Sequence, residues 1–243
     1  MAKMVGLSRN LKPQWLNKTV ELILTGLDEK EIKDQLNEYL SFEIESPTNL
    51  RKTREILMNI WVYDNDYSGS LREAGLELIK QDTDNMLPVN WCMMMAAYPV
   101  FVDMCKLIGK ISEFEETVTL AQIKQKLFDE WGERTTLYHS IDKLVATLKA
   151  LDVLECKKVG NYSVNKHQIT KDSVVNYLTY AMMKIDDAGY YSLVELGNSV
   201  YLFPFEFKIN KESIMMDKRF SMNTFGGELS VALNEWKKAM PFS

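Results

Sequence analysis

Apolar side chains recur at helical spacing through the first half of the chain, which predicts a series of amphipathic helices. The first predicted helix covers residues 14–25 and ends at Gly26. The second begins at Asp28, where Glu31 completes a capping box. The third begins at Ser46, with Pro47 at the first helical position, where a missing N–H costs nothing. A fourth helix is predicted over residues 67–80.

Residues 85–102 contain no charged side chain and resemble a membrane span in composition. A span needs about twenty predominantly apolar residues. This stretch is interrupted by Asn90, Pro88 and Pro99, and Asp103 follows it directly. We therefore interpret residues 91–108 as a buried central helix rather than a span, and Met93 to Met95 as adaptable core filling.

Residues 117–165 show two helical patterns followed by a hairpin pattern. The first helix follows Thr119 as its N-cap and ends at Gly132. The second helix is predicted from about Thr135 to Leu151. β-Branched and aromatic residues on both sides of Gly160-Asn161 predict a β-hairpin. This order is typical of a winged helix-turn-helix, and the remaining predicted elements flank it.

The second of these helices carries the candidate nucleic-acid face. Its apolar stripe predicts that Thr136, Ser140, Lys143 and Thr147 point outward, with His139 beside them. A small, polar face of this kind fits a major groove of about 12 Å width. The face is therefore a candidate for contact with DNA.

Charge is distributed unevenly along the chain. The net charge is −5, whereas residues 134–166 hold six basic side chains against three acidic ones, a local balance of +3. A nucleic-acid surface is the usual reason for confining positive charge on an acidic protein, although a solvated face produces the same pattern. Many winged helices bind only protein, so both interpretations stay open.

A second group of basic residues lies on the first two turns of the third helix: Arg51, Lys52 and Arg54. Positive charge at a helix start opposes the helix dipole by a few tenths of a kcal/mol at an exposed site. The triplet is either a phosphate-contacting group or a solvated charged face.

The C-terminal third has a different pattern. A helix is predicted over residues 171–184, with Thr170 as its cap. The aromatic and β-branched run over residues 190–209 predicts one or two short strands, with Pro204 at a sheet edge. These aromatic side chains either fill a core or stack on bases. Residues 228–238 are predicted to be helical.

The patterns together predict a mainly α fold: a multi-helix N-terminal domain (1–112), a winged helix-turn-helix (113–168) and a small α/β C-terminal extension (169–243) with helices and short strands. The N-terminus lacks the apolar core of a signal peptide, and three widely spaced cysteines indicate a reducing compartment. We therefore expect a cytoplasmic protein.

Catalytic patterns are missing from the sequence. His139 and His167 are the only histidines, and neither has metal-ligand spacing around it. The glycine-rich and nucleophile-elbow motifs are also missing. Asp64, Asp66, Asp82 and Asp84 suit a metal-dependent nuclease, but each pair lies in a polar loop where acids are expected. We expect a non-enzymatic protein without a cofactor or metal.

The order of several segments carries a family resemblance. VELILTGLDEKEIKDQLNEYL leads to SPTNLRKTREILMNIW, then to LPVNWCMMMAAYPVFVDMCKLIG and to RTTLYHSIDKLVATLKALDVLE. Over roughly residues 15–165 this chain resembles the BrxA family of bacterial BREX phage-defence systems. Arg51 and Arg54 match the family's basic helix, and Thr135, Thr136 and Lys143 match the outward face of its later helix. Residues 190–243 have no counterpart in the family pattern.

The resemblance implies a helical, sequence-tolerant antiviral-defence protein that binds double-stranded DNA and acts with other BREX proteins, among them a methyltransferase and an ATPase. The alternative is a protein–protein adaptor of the defence complex without DNA affinity of its own. No membrane partner is expected, and the oligomeric state is left open. The candidate DNA-binding residues are Arg51, Lys52, Arg54, Arg134, Thr135, Thr136, His139, Ser140, Lys143, Lys157 and Lys158.

Overall fold

The computed structural model describes residues 5–65, 68–186, 188–225 and 228–234, and within them the chain is mainly helical with a few small sheets. The helices are α1 (Pro13–Leu24), α2 (Glu29–Ser41), α3 (Pro47–Trp61), α4 (Ser68–Gln81), α5 (Met86–Ala97), α6 (Pro99–Ser112), α7 (Leu120–Trp131), α8 (Thr135–Ala150), α9 (Asp172–Asp186), α10 (Leu193–Gly197) and α11 (Lys211–Met216). The strands are β1 (Val118–Thr119), β2 (Leu154–Lys158), β3 (Asn161–Val164), β4 (His167–Gln168), β5 (Tyr191–Ser192), β6 (Phe205–Glu206), β7 (Phe220–Phe225) and β8 (Glu228–Leu233). Short 3₁₀ turns cover Thr83–Asn85 and Val200–Leu202.

The starts of α2 and α3 follow the sequence prediction. The Asp28 carboxylate accepts from the Glu31 backbone N–H, and the Glu31 carboxylate accepts from the Asp28 backbone N–H, both at 2.8 Å. The Ser46 hydroxyl accepts from the Asn49 backbone N–H at 3.4 Å, with Pro47 at the first helical position. Both caps satisfy backbone donors that have no partner inside the helix. The predicted capping box and Ser-Pro start are therefore confirmed.

The predicted central helix over residues 91–108 is wrong in one respect, because it is two helices bent by 119° between α5 and α6. Pro99 supplies no backbone N–H and keeps Tyr98 extended, at φ −135° and ψ 100°. The core assignment is confirmed, since Trp91 to Met95 are all buried.

In the part of the chain that the structure describes, no single helix has the length and apolar character to cross a membrane. Residues 83–97 and 99–112 meet those criteria only when the bent pair is taken together.

Residues 99–164, here called the first unit, contain α6, β1, α7, α8, β2 and β3. The three strands form one antiparallel sheet in the order β1-β3-β2, with Val118 opposite Tyr162 and Leu154 opposite Val164. The predicted pair of helices and the hairpin are confirmed as elements. Gly132 ends α7 at φ 77°, a conformation that costs a glycine little.

Residues 172–233, here called the second unit, repeat that strand order. A helix (α9) comes first, a two-residue strand (β5) leads into α10, α11 follows, and β7 and β8 form a hairpin. The sheet order is β5-β8-β7, so the first strand again pairs with the last one. Residues 198–210 separate α10 from α11 and carry a 3₁₀ turn and β6.

The helix predicted over residues 228–238 is wrong for its described part, because Glu228–Leu233 is a strand. Leu229, Val231 and Leu233 alternate with Ser230 and Ala232, a period of two that fits a strand packed on one face. Residues 235–238 lie outside the described part of the chain.

The aromatic run over residues 190–209 forms two short strands, as predicted, and otherwise turns and a short helix. β6 pairs in parallel with β4, so that His167 lies opposite Phe205. Tyr201, Phe203 and Phe205 are buried, which confirms the core interpretation over base stacking for these rings. A continuous apolar core runs from Val5 to Leu233 and joins both units to α1–α5.

Candidate nucleic-acid interface

The start of α8 is presented to solvent by the packing of α7. The Trp131 indole N–H donates to the Asp103 carboxylate at 2.8 Å and ties α7 to α6. The Thr119 hydroxyl accepts from the Gln122 backbone N–H at 3.1 Å, so both ends of α7 are fixed. Residues 132–134 then turn the chain into α8, whose first residues Thr135 and Thr136 are exposed.

The exposed side of α8 also carries His139 and Tyr138. The Tyr138 ring stacks on Phe128, with ring centroids 6.3 Å apart, and Lys124 Nζ lies 3.6 Å from the Tyr138 centroid. Lys124 also pairs with Asp142 at 2.8 Å. Burial lowers the pKa of the Lys124 ammonium, but the hydrogen bonds to Asp142 and Tyr138 outweigh it, so its pKa is raised. Lys124 therefore stays charged and is held within the protein.

Ser140 and Thr147 correct the predicted outward face of α8. Ser140 is 2% exposed and Thr147 is fully buried. The Ser140 hydroxyl donates to the Gly6 carbonyl at 3.4 Å, and the Thr147 hydroxyl accepts from the Leu11 backbone N–H at 2.9 Å. Residues 5–12 cover this side of the helix, so Ser140 does not face a groove.

Arg54 is also held by partners inside the protein. It donates to the Asn37 side chain at 2.9 Å and to the Glu55 carboxylate at 3.0 Å. Burial raises the pKa of the Glu55 carboxyl, but the hydrogen bonds from Arg54 and Tyr63 together outweigh it and lower that pKa. The basic triplet on α3 is therefore split: Arg51 and Lys52 are exposed, whereas Arg54 stabilises the packing of α3 beside α2.

The hairpin of the first unit exposes Lys157 and Lys158. Lys157 Nζ lies 2.6 Å from the Glu155 carboxylate, with both side chains about half exposed. Exposed pairs of this kind contribute about 0–1 kcal/mol and exchange readily with other partners. Gly160 at φ 74° forms the turn and its carbonyl accepts from the Leu120 backbone N–H at 2.9 Å, which fixes the hairpin on α7.

Two further candidates are less exposed than the first residues of α8. Arg134 occupies the N-cap position of α8, is half-buried, and does not cap the helix with its side chain. Lys143 is half-buried and lines a cleft together with Arg9, Asn49 and Thr53. The sequence reasoning missed Arg9. The sequence signal was the pair of apolar residues Leu7 and Leu11 on either side of Arg9. The structure buries both of them fully.

Acidic residues surround the turn between α7 and α8. Asp129, Glu130 and Glu133 are all exposed. Because these carboxylates repel phosphates, positive charge elsewhere in the interface has to compensate for them.

Two of the four carboxylates considered for a nuclease site, Asp64 and Asp82, have other partners. Asp64 pairs with Arg72 at 3.1 Å, and Asp82 pairs with Lys171 and accepts from the Asp84 backbone N–H. Asp66 lies outside the described residues. Among the residues that are described, no three His, Cys, Asp or Glu side chains are grouped so as to hold a metal ion.

Comparison with protein-family models, with curated proteins and with solved structures gives no match to this chain.

Proposed function

We propose that this chain is a non-enzymatic DNA-binding component of a BREX-type phage-defence system, with the first unit acting as a winged helix-turn-helix. The observation that carries the proposal is the arrangement of that unit. Its second helix, α8, exposes its first turn after a short connection, and β1 pairs with β3 to hold the hairpin beside the helices. In helix-turn-helix proteins the N-terminal residues of the second helix contact base edges.

The exposed side chains fit contact with a duplex. Thr135, Thr136 and His139 are short polar groups at the start of α8, and Lys157 and Lys158 supply positive charge on the hairpin. Arg51 and Lys52 add positive charge on α3. Phosphate contacts dominate the affinity in such an interface and make it depend on salt.

The assignment to phage defence rests on the resemblance of residues 15–165 to the BrxA family. Under this proposal the protein acts beside the methyltransferase and ATPase of the system, in the cytoplasm. The second unit lies outside the resemblance.

A protein–protein adaptor is the second candidate, and it is favoured by exposed apolar side chains on the second unit. Val194, Met215 and Met216 are 71%, 62% and 84% exposed. Large exposed apolar side chains are typical of surfaces that bind a partner protein.

The test is binding of the purified protein to a labelled duplex of about 30 base pairs across a salt series. We expect a steep loss of affinity with salt, and at least roughly 10-fold weaker binding for Lys157→Glu/Lys158→Glu, because two phosphate contacts become repulsive. The matched control is Lys208→Glu/Lys218→Glu, two exposed lysines of the C-terminal third. This control has the same net charge as the first variant.

Equal losses in both variants would indicate that only the net charge matters. Binding that is absent, or insensitive to salt and to the hairpin variant, would contradict DNA contact and favour the adaptor.

A further inference from the structure

A cleft of about 320 Å³ lies where the N-terminal segment (residues 5–12), α3 and α8 meet. Arg9 and Lys143 both line it, together with Asn10, Trp15, Ile44, Asn49 and Thr53. Among the described side chains that line the cleft, none is a carboxylate. Two cations therefore share one recess without an acid in it.

Two hydrogen bonds hold the N-terminal segment along α8. The Gly6 carbonyl accepts from Ser140, and the Leu11 backbone N–H donates to Thr147. Lys143 lies three residues after Ser140 and four before Thr147, so all three share one face of the helix. Arg9 lies between Gly6 and Leu11 on the segment. The two anchors thus place Arg9 and Lys143 on the lining of the same cleft.

The N-terminal segment has little freedom to move away. Gly6 has φ 66°, and a Cβ at this position would lie 2.5 Å from a Tyr98 ring atom. Leu7 and Leu11 are fully buried on either side of Arg9. The backbone on both sides of Arg9 is therefore fixed by the core.

Among the described residues, no carboxylate pairs with Arg9. Its guanidinium donates to the Ser8 carbonyl at 2.6 Å and to the Asn49 side-chain oxygen at 2.8 Å, both neutral acceptors. Its Nε is buried and has no hydrogen-bond partner in the described structure. A buried donor on a charged group is costly unless something accepts from it.

Lys143 forms no ion pair with any carboxylate in the described ranges. By contrast, the side chains of Arg54, Lys124 and Lys157 each pair with a carboxylate. Ile44, which also lines the cleft, lies between Glu43 and Glu45 in the sequence. Glu43 already accepts from Lys12 and, at 3.1 Å, from the Trp15 indole. The Lys12 hydrogen bond, and then that of Trp15, lower the pKa of Glu43, so it stays engaged with them.

Asn49 lies in the first turn of α3, where the helix dipole favours negative charge. An arginine fork beside a lysine is the usual protein environment for a phosphate group. We propose that this cleft binds a phosphate-type oxyanion between Arg9 and Lys143, and that in the DNA complex this oxyanion is a backbone phosphate. The second half of the proposal rests on the proposed function, whereas the first half does not.

The experiment uses the full chain and two probes: inorganic phosphate at constant ionic strength, and the same duplex of about 30 base pairs. Phosphate binding is followed by NMR shifts of the backbone amides of residues 49–53, and duplex binding by fluorescence anisotropy. The variants are Arg9→Gln and Lys143→Gln. Lys149→Gln removes an exposed cation from the same helix, outside the cleft, and is the matched control. Arg9→Lys restores the charge without the fork.

We expect phosphate to shift those amides in the wild type and not in either glutamine variant. Duplex affinity should fall roughly 5- to 10-fold in each, and the salt slope should fall by about one, because one phosphate contact is lost. The double variant Arg9→Gln/Lys143→Gln should lose little more duplex affinity than either single variant, since both groups hold the same phosphate. Lys149→Gln should behave as the wild type, and Arg9→Lys should recover part of the affinity. Unchanged thermal unfolding midpoints show that the variants fold.

The outcomes separate the two proposals. Duplex binding that Arg9→Gln and Lys143→Gln leave intact, while the Lys157→Glu/Lys158→Glu variant loses it, overturns the contact of the cleft with a backbone phosphate and keeps the DNA function. Phosphate binding without duplex binding keeps the cleft as a site for free phosphate and overturns the DNA function. Shifts that persist in both glutamine variants place the phosphate elsewhere and overturn the cleft.

Discussion

The first and second units share one strand order and differ in the length of their helices and in their exposed polar side chains. Each begins with a helix, places a two-residue strand before a capped helix, and ends in a hairpin whose last strand pairs with that first strand. Thr119 and Ser192 even cap α7 and α10 in the same way, with Gln122 and Glu195 returning the hydrogen bond. The common topology therefore does not distinguish the roles of the two units.

Helix length and surface chemistry do distinguish them. In the first unit α7 and α8 have 12 and 16 residues, whereas α10 and α11 have 5 and 6. The first unit exposes the threonines, histidine and lysines of the candidate interface. Both units expose apolar side chains, Phe114 and Val159 in the first and Val194, Met215 and Met216 in the second. A fold is a scaffold, and its function depends on the side chains placed on it. The polar side chains at the start of α8 support the DNA proposal, whereas the exposed apolar groups of both units fit the adaptor alternative.

We expect the largest effect from a substitution at Trp91, which tests whether the two units fold as one body. Its buried ring meets Phe101 of the first unit edge to face at 5.0 Å and Phe203 at 5.4 Å, and its N–H donates to the Tyr201 carbonyl at 3.1 Å. Trp91→Ala should lower the free energy of unfolding by about 3–5 kcal/mol, because it leaves a cavity at the junction. Urea unfolding followed by circular dichroism measures this loss.

Trp91→Phe, which keeps a ring but loses the hydrogen bond, should cost less and serves as the control. The single-body interpretation predicts one transition in every variant. A variant in which part of the signal keeps the wild-type midpoint would show that the units unfold independently.

The next effect concerns the contact of α6 with residues 198–210, which connect α10 to α11 in the second unit. A Cβ at Gly109 would lie 2.1 Å from the Val200 carbonyl oxygen, and neither backbone can yield alone. Gly109→Ala should therefore destabilise the protein by about 1–3 kcal/mol through overpacking. Gly69→Ala in α4 is the matched control, since a Cβ there has nothing within 4 Å. That control should stabilise by about 0.5–1 kcal/mol. A neutral Gly109→Ala would mean that the two elements separate at little cost.

The sequence predicted the elements of the first unit well because their signals are local. Thr119, Gly132 and Gly160 act through their own backbone conformation and neighbouring hydrogen bonds, so a short window contains the whole cause. The same holds for the Asp28 and Ser46 caps. The bend at Tyr98–Pro99 also has a local signal, which is the proline. The uncharged composition of residues 85–102 nevertheless favours one continuous helix in the sequence prediction.

The errors on the candidate interface have a distant cause. Ser140 and Thr147 are polar and looked exposed, yet residues 5–12 bury them and satisfy their hydroxyls. A small hydroxyl is cheap to bury when it is hydrogen-bonded, so polarity alone does not predict its exposure. Arg54 shows the same effect through Asn37 and Glu55. Which polar residues stay available depends on segments far away in the chain.

The second unit contains a half-buried ion pair that should make stability depend on pH. The Asp217 carboxylate accepts from Arg219 Nε at 2.9 Å and Nη2 at 2.6 Å. Burial raises the pKa of Asp217, but these hydrogen bonds outweigh it, so that pKa lies below its usual value. A depressed pKa stabilises the fold above the unfolded value of about 3.9, and the contribution is lost as pH falls through the folded value.

Asp217→Asn should therefore cost roughly 1.5 kcal/mol at pH 7 and much less near pH 2. Unfolding free energies of both proteins across this range measure it. Glu155→Gln in the first unit is the control, because its pair with Lys157 is about half exposed and should change stability little at any pH. A constant gap between Asp217→Asn and wild type at all pH values would contradict the role of the ionised pair.

The smallest effect compares the two caps directly. Thr119→Ala and Ser192→Ala each remove a hydroxyl that accepts from a backbone N–H, at 3.1 Å and 3.2 Å, and each should cost about 1 kcal/mol. Their local consequences should differ, because the capped turn is most of the 5-residue α10 but a small part of the 12-residue α7. Hydrogen exchange read by mass spectrometry should therefore accelerate across residues 193–197 in Ser192→Ala, and only at the first turn of α7 in Thr119→Ala. Equal acceleration along both helices would mean that α7 depends on its cap as much as α10 does, and that the tertiary packing of the first unit gives α7 no additional stability.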